Sequence, residues 1–94
     1  MAIRTRTPAP FSVGTRLRYV GDHESFIESL NGTVPFYYHG MEVIIEETKM
    51  VPCLRDDVMV IEGRSVFYLD IPTKNGSRLP RAIFPDRASD WVTV

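Results

Sequence analysis

From residue 15 to 94 the chain alternates short apolar and polar runs, cut every few residues by Gly, Pro or Asn. Such period-two alternation stands side chains on opposite faces of an extended strand, whereas an amphipathic helix needs apolar residues three and four apart. Only the stretch from Asp22 to Gly32 offers helical spacing. The pattern specifies a mainly β fold, either a small barrel or a bent antiparallel sheet of roughly five to six strands, with one short helix after the first strand. At 94 residues the chain is long enough for one domain with its own apolar core and too short for two. Residues 1–12, with Pro8 and Pro10, read as a flexible N-terminal arm that removes backbone donors, and residues 13–94 as the β domain.

Within that domain, Leu17 and Tyr19 alternate with Arg16 and Arg18, so the first strand turns its two arginines outward. Asp22 is placed as an N-cap, Phe26, Ile27 and Leu30 recur at helical spacing, and Asn31-Gly32 offers a left-handed stop. A helix over residues 23–30 would lay Phe26 and Leu30 on the core. Pro35 limits residues 33–38 to an edge or bulged strand. Residues 41–50 read as the longest strand and 51–57 as a connection. Residues 58–62 and 65–71 read as a hairpin closed by Gly63-Arg64. Residues 73–77 form a loop tip around Asn75-Gly76, 78–84 a further strand limited by Pro80, 85–89 a turn or a single 3₁₀ turn, and 90–94 the last strand.

The run Gly14-Thr15-Arg16-Leu17-Arg18-Tyr19, then Asn31-Gly32-Thr33-Val34 after an excursion, and Asp90-Trp91-Val92-Thr93-Val94 at the end resemble the layout of SH3-like small β-barrels. That group includes KOW, Tudor and SH3 domains. The resemblance implies a barrel scaffold whose function resides in its loops and surfaces. The chain departs from signalling SH3 domains in lacking their acidic-aromatic first loop and paired tryptophans. It departs from KOW domains in lacking a glycine-rich basic loop. These departures speak against polyproline and RNA recognition.

Residues able to support chemistry are few. Cys53, His23 and His39 lie in no local arrangement that would activate a thiolate, and three scattered candidates do not make a zinc site. Neighbours on a strand point to opposite faces, so Glu46 and Glu47 cannot share a proton, and Asp56-Asp57 reads as a solvated turn. No glycine-rich phosphate loop occurs. The expectation is a non-enzymatic chain without metal or cofactor.

Charge is strongly divided despite a net value of −1: residues 1–21 carry +4, residues 22–62 carry −7 and residues 63–94 carry +2. This polarity suits a charged macromolecular partner. The sequence pI of about 6.1 matches nucleic acid poorly, which makes protein binding the first reading. Phe36, Tyr37 and Tyr38 supply aromatic anchors, with Glu42, Glu46, Arg16 and Arg18 as a charged rim. The alternative is a nucleic-acid binder that uses the basic arm (Arg4, Arg6) with Arg16 and Arg18. An edge at residues 33–38 or 78–84 would also allow a homodimer. No apolar run exceeds four residues and no secretory signal is apparent, so no membrane partner is expected. The lone Cys53 points to a reducing cytoplasm. Size and acidity would suit a small inhibitor carried by a phage or mobile element.

Overall fold

One twelve-residue strand, β7 (Val58–Leu69), organises the chain by pairing with three others. A computed structural model describes residues 5–71 and 76–94, so Arg4 and most of the expected 73–77 loop lie outside the described residues. The described part is mainly β, with three small sheets, none of them closed into a barrel. Along one edge of β7 runs β6 (Glu47–Arg55), antiparallel, with Glu47 opposite Val66 and Arg55 opposite Val58. Along the other edge lie β1 (Thr5–Thr7), parallel to residues 60–62, and then β8 (Leu79–Ile83), antiparallel to residues 65–69.

The expected turn at Gly63-Arg64 is corrected: both residues continue β7, opposite Met50 and Lys49. The reversal occurs instead at Asp56-Asp57, where both residues hold positive φ, 49° and 63°. That is the left-handed pair of a two-residue hairpin turn, a geometry Asp tolerates better than most residues. Residues 51–55 therefore belong to β6 and not to a connection. Gly63 has a different task. A Cβ built on it would sit 2.1 Å from the Ala9 nitrogen and 2.6 Å from the Pro8 carbonyl carbon, so the chain between β1 and Phe11 crosses directly over it. Ser65, fully buried, ties down the end of this crossing: its Oγ accepts from Phe11 N at 2.9 Å and donates to Phe11 O at 2.7 Å.

The second sheet has the order β5 (Glu42–Ile44), β2 (Arg16–Tyr19), β9 (Trp91–Thr93). The expected single strand over residues 41–50 is split because the chain changes sheets there. Ile45 N donates to Thr15 O beside β2, and Glu46 N donates to Val66 O on β7. The inward faces of the two sheets enclose Leu17, Tyr19, Val43 and Trp91 from one side and Phe67 and Ile83 from the other, with Met41 and Ile45 between. The Trp91 ring lies 5.0 Å from Tyr19 and 5.4 Å from Phe67, centroid to centroid, in tilted contacts. Each such side chain contributes about 1.5–3 kcal/mol by burial. A 3₁₀ helix, Pro85–Asp90, leads into β9.

The helix expected over residues 23–30 is not formed. Ser25–Ser29 is strand β3, paired with β4 (Gly32–Tyr37) as a separate two-stranded sheet. Burial alternates with period two: Ser25, Ile27 and Ser29 are half-buried while Phe26, Glu28 and Leu30 are exposed. Gly32, at φ +93°, closes a hairpin here and does not cap a helix. Ser29 Oγ fastens the turn by donating to Gly32 O and accepting from Asn31 N. Weak helical spacing lost to a ladder with Thr33, Val34 and Tyr37, β-formers outside the local window.

Gly63→Ala should lower stability by about 1–3 kcal/mol in urea unfolding, as overpacking does. Deleting residues 1–10 should remove most of that penalty, since the arm is what the new methyl meets. Asp57→Gly should raise stability by about 1 kcal/mol in the same measurement, because Gly holds the left-handed conformation without a Cβ penalty.

Candidate functional site

The hairpin β3–β4 stands apart from both other sheets and packs chiefly on itself. It joins the body at its base, where Tyr37 reaches the core rings of Tyr19 (5.5 Å), Trp91 (6.0 Å) and Phe67 (6.2 Å). His23 N also donates to the Tyr19 hydroxyl. Away from that base Phe26 is 59% exposed, on the same face of β3 as Glu28, whose carboxylate accepts from the Thr33 hydroxyl, and Leu30, in the turn, is 61% exposed. Ile27 and Val34, paired across the two strands, are only half-buried. Residues 22–38 contain Asp22, Glu24 and Glu28 and no Lys or Arg. The result is an acidic finger with apolar side chains on both faces.

The sequence-selected aromatics lie at the root of this finger. Strict alternation would place Phe36 and Tyr38 on one face and Tyr37 on the other, but the register slips between Ser25 and Phe26, making Phe36 the extra residue of a bulge beside Pro35. Phe36 is half-buried, edge-on to Tyr37 at 5.5 Å and covered by the Arg81 guanidinium at 4.3 Å. Tyr37 faces the core, and burial pushes its phenol above the usual value. Tyr38 is 44% exposed.

The structure brings Arg16, Glu42 and Glu46 together on a different surface. With Ile44, Leu69 and Arg78 they line an open depression of about 550 Å³ that does not include the aromatics. Its acids are engaged. Arg18 Nη2 donates to Glu42 Oε2 at 3.0 Å from the neighbouring strand, and Arg78 holds Glu46 with two bonds of 3.0 and 2.8 Å while its Nε donates to Asp70 at 2.8 Å. The Arg78 guanidinium thereby keeps the Glu46 carboxyl below the ordinary carboxylate range. Arg16 makes no ion pair among the described residues.

Cys53 interacts with Val51 O and the Arg64 guanidinium, His23 with Ser25 Oγ, and His39 with Gly21 O. No group of three or more His, Cys, Asp or Glu that could hold a metal occurs among the described residues. Among them, too, no helix is long and apolar enough to cross a membrane. What sequence reasoning missed is the finger itself. Asn31-Gly32 between β-forming runs was its signal, since that dipeptide marks hairpins as readily as helix ends. No protein-family model, curated protein or solved structure matches this chain.

Replacing Arg78 by Met should remove a pH-dependent part of the stability. A carboxyl whose folded pKa is depressed stabilises above its unfolded pKa of about 4.3 and loses that contribution as pH falls through the folded value. The gap in urea midpoint between wild type and Arg78→Met should be full near neutrality and close at pH values below about 4. An equal gap at all pH values would contradict the assignment.

Proposed function

We propose that this chain is a non-enzymatic protein-recognition module whose recognition element is the β3–β4 finger. One observation carries the reading: among the described residues, a two-stranded sheet with no third strand leaves Phe26 exposed on one face, Leu30 exposed at its turn, and Ile27 and Val34 incompletely covered on the other face. An isolated two-stranded hairpin is marginal in water, and grouped exposed apolar side chains mark interaction surfaces. Burying Phe26 and Leu30 against a partner would contribute about 1.5–3 kcal/mol each, roughly tenfold or more in affinity apiece. Phe36 and Tyr38 extend this surface at the root, while Arg16, Arg18, Glu42 and Glu46 form a separate charged surface around the depression. An SH3-like layout fits this role and is supported by the antiparallel pairing of β2 with the last strand, Tyr19 opposite Trp91. The finger's single acid, Glu28, with Asp22 and Glu24 just ahead of it and no base in residues 22–38, favours protein over nucleic acid as the partner.

The test is affinity capture with the wild type and with Phe26→Asp/Leu30→Asp, with and without nuclease. The wild type should retain a protein partner after nuclease, and the variant should lose it at least tenfold. Because both side chains are exposed, the variant's Tm should stay within a few degrees of wild type. Loss of all partners on digestion, or undiminished capture by the variant, would overturn the reading.

A further inference from the structure

We infer that the finger's partner is a second copy of this chain, which receives it in a basic groove on the β6–β7–β8 sheet. This inference rests on the finger being the recognition element. The groove, about 200 Å³ and open to solvent, has Val51, Val66 and Ala82 among its apolar lining. Lys49, Arg64 and Arg81 also line it, and no carboxylate does. It has room for one large side chain.

Two features mark it as a receptor for an acidic group. Lys49 and Arg64 stand directly opposite each other across β6 and β7, and like charges in that position repel. The Lys49 ammonium is only loosely offset, 3.7 Å from Glu47, with both side chains well exposed. Arg64 is packed against the Phe84 ring at 4.1 Å and donates one Nη2 bond to Cys53 Sγ at 3.4 Å. Its Nε is buried and meets no acceptor among the described residues. A carboxylate from outside would relieve the Lys49–Arg64 repulsion.

The finger carries the complement. Phe26 and Glu28 stand exposed on one face of β3, and Leu30 is exposed in the turn that follows, an apolar and acidic set that matches an apolar floor between cations. Phe26 or Leu30 enters the groove while Glu28 meets the cations. Glu28 has lone pairs free for this beyond its bond to Thr33. Finger and groove are different surfaces, so the contact is heterologous. Copies join head to tail, and assembly ends only by closing into a ring.

Sedimentation velocity on the full chain over a concentration series tests this. Wild type should grow in mass with concentration at low salt and dissociate as salt rises, because the contact is electrostatically assisted. Phe26→Asp/Glu28→Lys, with a damaged finger, and Lys49→Glu, with a damaged groove, should each weaken self-association at least tenfold. Mixed in equal amounts they retain one intact finger and one intact groove, and should form a 1:1 species that grows no further. Lys49 is exposed, so the groove variant should keep the wild-type circular dichroism. A monomeric wild type at all concentrations, a groove variant that associates like wild type, or a mixture that stays monomeric would each overturn the inference. If wild type stays monomeric while Phe26→Asp/Leu30→Asp still abolishes nuclease-resistant capture, only the identity of the partner is wrong. If that capture also persists, the finger itself is not the recognition element.

Discussion

The crossing of the arm over Gly63 holds the rest of the architecture in place. β7 is long enough to be shared: β6 uses one edge through nine paired positions, and β1 and β8 divide the other. At its middle, the one residue without a side chain lets the backbone of Pro8 and Ala9 pass within contact distance. Two positions later, Ser65 takes both backbone groups of Phe11, and Phe11 then packs on the core at the point where the chain enters the second sheet. Removing water from these polar groups costs little because each has its partner. The inward side of the next residues, Phe67 and Leu69, is thereby aimed at the Trp91 and Tyr19 cluster.

Open sheets leave edges, and this chain treats its edges unequally. β6 carries Pro52, which cannot donate, and the charged Lys49 and Arg55. β4 carries Pro35 and a bulge. Such features discourage pairing with foreign strands. β3 has neither proline nor lysine along Ser25–Ser29 and exposes Phe26 beside its free edge. A strand left open in this way, on a hairpin without support from a third strand, is consistent with a surface kept for recognition. The ion pairs of the Arg78 cluster serve a different end. They are roughly half-exposed or more and add little stability, but they clasp the corner at Glu46, where the chain passes between sheets, to Asp70 just after β7.

Much of the strand layout could be read locally because burial on one face imposes a two-residue period. Arg16–Tyr19, Leu79–Ile83, the short 3₁₀ helix and Trp91–Thr93 all lie where alternation, Pro80 and Pro85 place them. The errors fell where two structures share one local signal. Asn31-Gly32 ends a helix or turns a hairpin, and the glycine of Gly63-Arg64 permits a turn or a close backbone approach. Asp56-Asp57 reverses the chain without any glycine at all. Among the selected surface residues, Arg16, Glu42 and Glu46 share a depression, while Tyr37 turns to the core and Tyr38 to solvent, with Phe36 unpaired at the bulge between Pro35 and Tyr37.

The amino-acid order alone determined a mainly β chain, the outward arginines of the first strand, the proline-limited strand at Pro35 and the segregation of acids into the middle of the chain, because periodicity and composition act over a few neighbouring residues. Tertiary structure decided which strands pair, where the chain changes sheets, that residues 25–29 extend and do not coil, and that a basic groove forms opposite in character to an acidic finger. Those outcomes depend on contacts between residues distant in the chain, such as Ala9 with Gly63 and Lys49 with Arg64, whose energies no local window contains.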